Sequence, residues 1–477
     1  MRGAWPVPAV RAAEAELMAA LPPGALMRRA AEGLAVHCGR QLRSVYGSRV
    51  ALLVGSGDNG GDALFAGARL AGRGARVTAV LLNPERAHQP GLAALLRAGG
   101  RAASTVEGAA AVGGADLVLD GIVGIGGSGG LRPDAAGLAR VARESGAVRV
   151  AVDLPSGVDA DTGAVGGDAF DADVTVTFGA LKPGLVVGAG ADRAGEVRLV
   201  DIGLRPHLPE PPVVLLEDRD VAALLRVPGP DDDKYTRGVA GVAAGSAVYT
   251  GAAVLGTGAA VRGGAGMVRY AGGAAEHVRA RWPEAIVTDG SPSAAGRVQA
   301  WVVGPGLGTD DTAAATLREV LATDVPVLVD ADGITLVAGD PDLVRRRRAP
   351  TVLTPHDREF ERLAGPVGDD RVGAARRAAA DLGAVVLLKG TRTVVAAATG
   401  PAYVNPTGTP WLATAGSGDV LSGLGGALLA GGLEPAAAAA AAAYLHGLAG
   451  RIAAGGASTS ASAVLDALPA ALRQVAT

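Results

Sequence analysis

The segment around Gly416–Asp419 carries residues suited to phosphoryl transfer. The run TAGSGDVLSG (414–423) predicts a Gly-Ser-Gly turn that opens a helix, with Asp419 in its first turn. The N–H groups and dipole of a helix N-terminus stabilise negative charge on a transferring phosphoryl group. An aspartate there can take the proton of an attacking hydroxyl group. The alternative is an Asp helix cap after a glycine turn. The P-loop signature is absent from the sequence, so the motif is a different phosphate-binding device.

Three polar, glycine-rich loops each follow a predicted strand in the first half of the chain. They are GSGDNGGD (55–62), DGIVGIGGSGG (120–130) and VDLPSGVDADTG (152–163). The carboxyl ends of strands form the ligand crevice of an open α/β sheet, so we expect the loops to converge there. Free N–H groups in the second loop, with a following helix N-terminus, can hold a phosphate.

The first loop matches the Gly-x-Gly-x-x-Gly fingerprint of dinucleotide-binding folds at Gly55, Gly57 and Gly60. The next strand, however, runs into Asn83-Pro84 and lacks the acid that binds ribose hydroxyls, which disfavours an ordinary dehydrogenase. A purely structural glycine turn is the other alternative. Taken alone, Asp153 could be a helix or turn cap before Pro155, and Lys182, in FGALKPG, could be an exposed lysine at a strand end.

Short Val/Leu/Ile runs alternate with helical stretches, which predicts βαβ units around mostly parallel sheets. A proline-rich and acidic break near 205–236 predicts two α/β domains, at 1–210 and 215–477. Within the break, VVLLEDRDVAALL predicts one strand and one short helix. The alanine run at 435–450 predicts a helix, because proline stands at its first position. The predicted strands lie at 50–55, 75–82, 115–122, 148–155, 173–179, 239–245, 301–306, 325–333, 349–356 and 384–390.

The composition of the chain disfavours several classes of function. The 477 residues carry a net charge of −3, with 19% charged and 49% hydrophobic side chains, which disfavours a nucleic-acid binder. Cys38 is the single cysteine, so the chain has no internal disulfide and no Cys-based metal site. The six histidines show no metal-ligand spacing. With no signal peptide and no membrane span expected, the sequence predicts a soluble cytoplasmic enzyme.

The motifs of residues 5–205, in this order and spacing, resemble the NAD(P)H-hydrate epimerase domain, whose opening helices are similar to RAAEAELM…GALMRRAAEGLA (11–35). The resemblance implies a Rossmann-like αβα domain in which Asp153 lies against the altered nicotinamide ring. There Asp153 is the candidate for proton transfer, by ring opening or by loss of the hydroxyl group, and Lys182 is a candidate for orienting the phosphate or the ring. It implies K⁺ ligands at Asn59, Asp120 and Ser156; a hard cation takes such oxygen ligands. Two departures are Asp58, where Asn is common, and Ala63, where Gly is common. The implied substrate-binding residues are Asp58, Asn59, Gly60, Gly61, Asp62, Gly124, Ile125, Gly126, Gly127, Ser128, Gly129, Gly130 and Asp153.

Residues 225–475 resemble the ADP/ATP-dependent NAD(P)H-hydrate dehydratase domain, a ribokinase-like α/β fold. The motifs are GVAAGSAVYTGAAVLGTGAAVRGGAG (241–266), VGPGLGTDD (303–311), TPHDREFERL (354–363), VLLKGTRT (386–393) and GSGD. Asp357-Arg358 departs from the usual Pro-Gly. Taken alone, His356 reads as a packing or capping residue, Lys389 as a solvated lysine and Gly308 as a turn former. The resemblance implies hydrate contacts at Ala253, Gly308, His356 and Asp419, and adenine-nucleotide contacts at Lys389, Gly390, Thr391, Arg392, Thr393 and Gly418.

The implied reactions are epimerisation at C6 of the hydrated ring and, with Mg²⁺ and ADP or ATP, phosphorylation-driven loss of water with Asp419 as base. The expected partners are NAD(P)H-hydrate and ADP or ATP, with no nucleic acid and no membrane, in a homo-oligomer. One rival interpretation is a vitamin or sugar kinase fused to a nucleotide-sensing module. Another makes the N-terminal half a regulatory binding or scaffold module.

Overall fold

The computed structural model describes residues 1–127 and 129–476 and divides into two compact units, Gly3–Pro212 and Val213–Thr477, the latter with Met1–Arg2. The strand and the short helix predicted inside the 205–236 break both form and open the C-terminal unit. Among the described residues, no helix combines the length and hydropathy that a membrane span requires.

The N-terminal unit is an α/β fold around a seven-stranded parallel sheet, ordered β4-β3-β2-β5-β6-β7-β8. From β2 the chain builds β3 and β4 toward one edge of the sheet, and it then crosses back to place β5 on the opposite side of β2. The strand order therefore reverses between β2 and β5. Ligands of such sheets bind at this reversal, outside the carboxyl ends of the strands. The chain begins with β1 (Arg2–Ala4), within which the boundary between the units falls. The elements of the N-terminal unit that follow are α1 (Val7–Ala19), α2 (Ala25–Gln41), β2 (Arg49–Val54), α3 (Asp58–Gly72), β3 (Arg76–Leu81), α4 (Gln89–Arg97), β4 (Arg101–Ala103), α5 (Thr105–Gly113), β5 (Leu117–Gly121), α6 (Pro133–Glu144), β6 (Val148–Val152), β7 (Val174–Phe178), α7 (Gly188–Arg193) and β8 (Glu196–Val200).

The C-terminal unit is built on strands ordered β9-β18-β17-β16-β15-β14-β13-β10-β11-β12. The strands from β16 to β12 run parallel, whereas β17 is antiparallel to both of its neighbours. The strands are β9 (Val213–Leu215), β10 (Val239–Ala243), β11 (Met267–Ala271), β12 (Ile286–Thr288), β13 (Ala300–Val303), β14 (Val327–Val329), β15 (Thr351–Leu353), β16 (Val385–Leu388), β17 (Val394–Ala396) and β18 (Ala402–Val404). The helices are α8 (Asp218–Leu224), α9 (Thr250–Arg262), α10 (Ala275–Arg281), α11 (Asp311–Leu321), α12 (Asp332–Gly339), α13 (Asp342–Arg345), α14 (Asp357–Ala364), α15 (Arg371–Leu382), α16 (Ser417–Ala430), α17 (Pro435–Ala454) and α18 (Ala461–Ala476).

The alanine run folds as predicted into α17, where Glu434 caps the first turn and Pro435 stands at the first helical position. Small residues also let α16 lie close to α9. A Cβ atom at Gly423 would come within 2.1 Å of the Gly256 carbonyl oxygen, so this contact requires glycine. The packing fixes the N-terminus of α16, which carries the GSGD motif.

Candidate active sites

A cavity of about 680 Å³ opens at the carboxyl ends of β2, β5 and β6, where the three polar loops were expected to converge. The first and second loops touch: a Cβ atom at Gly55 would lie 1.9 Å from the Ile122 carbonyl oxygen. Of the predicted substrate-binding residues, Gly60 and Gly61 lie buried in α3 rather than on the cavity wall, and Ser128 lies outside the described residues. Those that line the cavity are Asp58, Asn59, Asp62, Gly124, Ile125, Gly126, Gly127, Gly129, Gly130 and Asp153.

The two departures in the first loop are accommodated by helix α3. Ala63 is buried inside this helix and has a negative φ, since Asp153 and Ala331 are the non-glycine residues with positive φ among those described. Alanine therefore fits there without strain. Asp58 is the first residue of α3, where an acidic side chain stabilises the helix dipole.

Asp153 adopts a strained backbone conformation, with φ at 67°. Its Oδ1 accepts hydrogen bonds from Lys182 Nζ at 2.5 Å and from Thr177 Oγ1 at 3.0 Å. Lys182 is 1% exposed and donates also to the Phe178 carbonyl oxygen at 3.2 Å. The alternative of an exposed strand-end lysine is therefore wrong. Lys182 lies behind Asp153 and positions it, instead of lining the cavity itself.

Asp120 and Ser156 form a buried pair below the cavity. Ser156 Oγ donates to Asp120 Oδ1 at 2.7 Å, and its backbone N–H donates to Asp120 Oδ2 at 2.8 Å. Burial raises the pKa of Asp120 to about 6, against the effect of these hydrogen bonds. Asn59 lies beside the second loop, with Oδ1 2.9 Å from the place of a Cβ atom on Gly124. Asp120 and Ser156 therefore contact each other, and Asn59 lies next to the loop that follows Asp120.

Two more carboxyl groups line the same cavity. Burial raises the pKa of Glu14 and raises that of Asp62 well above its usual range; in both cases neighbouring acidic groups add to the effect. Sequence reasoning missed Glu14, because only the fold brings α1 to the cavity.

In the C-terminal unit, Gly416 has φ at 85° and caps α16, and Asp419 lies in the first turn as predicted. Burial, with added repulsion from Asp330 and Asp332, raises the pKa of Asp419 to about 7. A carboxyl group with this pKa takes up and releases protons near neutrality, as a general base requires.

Lys389 lies beside the N-terminus of α16. Its Nζ forms an ion pair with Asp330 Oδ1 at 2.7 Å and lies 3.6 Å from Glu359 Oε2. Asp330 also accepts a hydrogen bond from Ser422 Oγ at 2.6 Å, which ties it to α16. The alternative of a solvated lysine is wrong. The sequence analysis did not identify Asp330, although it directly follows β14, and the carboxyl ends of parallel strands are where ligands bind.

The residues predicted to contact the hydrate differ in how accessible they are to a ligand. His356 caps α14 and forms a reciprocal capping box with Glu359, so the Asp357-Arg358 departure leaves this helix start intact. Gly308 has φ at 87° and donates its N–H to Asp332 Oδ2 at 2.9 Å. Ala253 is fully buried in α9, so its side chain offers no surface to a ligand in this structure.

The turn 389–393 joins β16 to β17 and approaches α16. Lys389 Nζ lies 3.7 Å from the place of a Cβ atom on Gly418. Thr393 Oγ1 donates to the Gly390 carbonyl oxygen at 2.9 Å, and Arg392 Nη1 donates to that of Pro406 at 3.4 Å. A Cβ atom at Gly408 would meet the Thr391 carbonyl oxygen at 2.0 Å, so the turn packs tightly.

The fold and the sites define a two-unit α/β protein that joins a Rossmann-like unit to a ribokinase-like unit. A solved ribokinase-like superfamily protein from Enterococcus faecalis V583 is similar over 56% of this chain and 98% of its own, with 28% identity and a TM-score of 0.52. Residues 240–469 match the family described as NAD(P)H-hydrate dehydratase, and residues 23–184 match the YjeF-related protein N-terminus.

Curated relatives match along both units. The protein named bifunctional NAD(P)H-hydrate repair enzyme Nnr in Mycobacterium tuberculosis is 58% identical over 445 residues, covering 92% of each chain. Its namesakes in Mycobacterium leprae and Salinibacter ruber are 56% and 38% identical and cover 94% and 89% of this chain, and 93% and 87% of their own. The chain belongs to this family of bifunctional NAD(P)H-hydrate repair enzymes. The fused-kinase interpretation loses its support.

Proposed function

We propose that this chain repairs hydrated NADH and NADPH in two steps. The N-terminal unit interconverts the two C6 epimers of the hydrate, and the C-terminal unit uses ADP or ATP to drive the loss of water from one of them. The observation that carries the proposal is that one chain holds both sites: a glycine-walled cavity with Asp153, and a helix N-terminus with Asp419 beside Lys389.

The dehydration chemistry follows from the residues around α16. Asp419 takes the proton of the C6 hydroxyl group, whose oxygen then attacks the terminal phosphate of the nucleotide. The N–H groups at the start of α16 and the Lys389 ammonium group stabilise the negative charge on that phosphate. The C6–O bond then breaks with phosphate as the leaving group, and a proton leaves C5 with that phosphate, which restores the double bond of the nicotinamide ring. Hydroxide is a poor leaving group and phosphate a good one, so the nucleotide is consumed.

Magnesium fits this site as a companion of the nucleotide. Mg²⁺ usually keeps several waters and is held by substrate phosphates with one or two carboxylates. The described residues contain no group of three or more His, Cys, Asp or Glu side chains arranged to hold a metal ion. Mg²⁺ supplies neutralisation of phosphate charge when it is bound. Gly390, Thr391, Arg392, Thr393 and Gly418 would contact the nucleotide, and Gly308 and His356 the hydrate.

In the N-terminal unit, Asp153 is the proton-handling group and Lys182 positions it. The ion pair between them, closed by Thr177, keeps the Asp153 carboxylate in place. The strained φ of Asp153 supports a functional role, because such strain persists only where the surroundings enforce it. The glycines of the second loop that line the cavity, at 124, 126, 127, 129 and 130, have no side chains that would obstruct the pyrophosphate of the hydrate.

The oxygens of Asn59, Asp120 and Ser156 fit a potassium ion. Hard cations take carboxylate, amide and hydroxyl oxygens, and Asn59 and the Asp120–Ser156 pair are all buried. Asn59 Nδ2 is buried without a hydrogen-bond partner among the described residues. Rotating the Asn59 side-chain amide by half a turn exchanges its nitrogen and oxygen and places an oxygen without a partner where the cation would bind. When bound, K⁺ would hold the second and third loops together below the substrate.

The proposal is tested with a mixture of both hydrate epimers and the full chain. Without nucleotide, the two epimers should interconvert and no reduced cofactor should form. With ATP or ADP and Mg²⁺, both epimers should be converted completely. A protein that changes neither the epimer ratio nor the hydrate concentration would contradict the proposal.

A further inference from the structure

Asp62 lies one turn into α3, and its carboxyl group faces the same cavity as Asp153. The two carboxyl groups differ in their partners. Asp153 accepts hydrogen bonds from Lys182 and Thr177 and forms a buried ion pair with Lys182. Asp62 Oδ1 is buried and has no hydrogen-bond partner among the described residues. A buried carboxylate without a cation or donor is costly, whereas a protonated carboxyl group is tolerated.

The charged groups with a resolved effect on Asp62 are acidic: Asp153 after β6, Asp58 of the same helix and Glu14 of α1 each raise its pKa. The same cavity is also lined by Arg86, Arg132 and Asp134. The buried Lys182 is bonded to Asp153 and does not contribute to the pKa shift of Asp62. Burial and these anions together raise the pKa of Asp62 well above its usual range. When the environments of two carboxyl groups in one site separate their protonation states, one serves as acid and the other as base.

We propose that Asp62 is the acid partner of Asp153 in the N-terminal unit, donating a proton to the ring nitrogen of the hydrate while Asp153 accepts one from the C6 hydroxyl group. This inference rests on the proposed epimerase activity and assigns Asp62 a chemical role beyond binding.

Opening and closing of the hydrated ring accounts for every proton and electron pair in this scheme. Asp153 takes the hydroxyl proton, the C6–N1 bond breaks with its electron pair moving to N1, and Asp62 gives N1 a proton. The product is an open-chain aldehyde at C6. After rotation about the C5–C6 bond, Asp62 takes the proton back, N1 attacks the other face of the aldehyde carbon, and Asp153 returns its proton to the oxygen. Both carboxyl groups end in their starting states.

The test is Asp62→Asn in the full chain, assayed without nucleotide so that dehydration does not occur. Asparagine keeps the shape and the capacity to bind substrate but has no proton to transfer. We expect kcat for epimerisation to fall by about 10²–10⁴-fold, with KM nearly unchanged. Wild-type kcat should decline on the alkaline side, where Asp62 loses its proton, and this decline should be absent from the residual activity of the variant. Asp62→Glu, which keeps a carboxyl group, should restore part of the rate.

The matched control is Asp192→Asn, an exposed carboxyl group on α7 that does not line the cavity; it should behave as wild type. A midpoint of chemical denaturation close to that of wild type reports that the N-terminal unit of each variant is folded, and dehydration measured with nucleotide reports the same for the C-terminal unit. An unchanged kcat in Asp62→Asn, a loss confined to KM, or an alkaline decline that persists would overturn the acid role. If the wild-type protein does not change the epimer ratio, the epimerase proposal itself fails, and the inference fails with it.

Discussion

The charge state of Asp419 links the activity of the C-terminal unit to its stability. The side chain is partly exposed, and burial raises its pKa to about 7 from 3.8. The base must be ionised to accept the hydroxyl proton. The rate of dehydration should therefore rise with pH through about 7, with roughly a tenth of the plateau one pH unit below.

The same shift predicts a stability cost. A carboxyl group whose pKa is higher in the folded than in the unfolded protein destabilises the fold as pH rises from the unfolded value to the folded one. A shift of about three units corresponds to about 4 kcal/mol at most. Water that reaches the partly exposed carboxyl group reduces this value. Asp419→Asn removes the charge, so the variant should be more stable than wild type at alkaline pH and similar to it near pH 4.

The assay compares wild type with Asp419→Asn by thermal unfolding and by dehydration rate at several pH values. We expect the variant to unfold at a higher temperature above pH 7 and to lose about 10²–10⁴-fold in dehydration rate, while nucleotide binding and epimerisation remain nearly intact. Near-normal turnover in the variant would refute the base assignment. A variant that is equally stable or less stable at alkaline pH would refute the electrostatic reasoning.

Three further predictions follow from buried groups in the N-terminal unit. Lys182→Met leaves the Asp153 carboxylate buried without its cation and should destabilise this unit by roughly 3–5 kcal/mol; chemical denaturation measures the loss, and an unaltered midpoint would contradict the buried pair. Asp120→Ala should weaken hydrate binding and make epimerisation insensitive to K⁺ at fixed ionic strength, with dehydration unchanged; an unaltered K⁺ response would exclude the ligand role. Burial raises the pKa of Cys38 to about 12, so an alkylating reagent should leave this thiol unmodified until the protein unfolds, and rapid labelling of the native protein would contradict its burial.

The arrangement of the elements was predictable because the local signals agree with the fold. Each predicted strand overlaps an observed one, as at 50–55 (β2, Arg49–Val54) and 148–155 (β6, Val148–Val152). The predicted strands extend past the observed ends, because the residues that follow, such as Asp153, belong to the loops and not to the sheet. The GSGD turn and α17 were predictable because glycine, proline and alanine have strong local preferences.

The electrostatic partners were not predictable from local sequence. Lys182 is 29 residues from Asp153, and Lys389 is 59 residues from Asp330, so only the folded sheet brings each pair together. Residue type alone does not show that Asp153 adopts a positive φ, because aspartate takes that conformation only occasionally. Because their partners are so distant in sequence, Lys182 and Lys389 could each have been solvated as far as the sequence shows.

The most direct test of the central claim is to follow a mixture of both hydrate epimers to completion in one reaction with the full chain, ATP or ADP, and Mg²⁺, beside Asp153→Asn and Asp419→Asn. The account predicts that wild type restores all of the hydrate to reduced cofactor. Asp153→Asn should convert one epimer and leave the other, and Asp419→Asn should interconvert the epimers without forming product. Equal and complete consumption of both epimers by Asp153→Asn would contradict the division of labour between the two units.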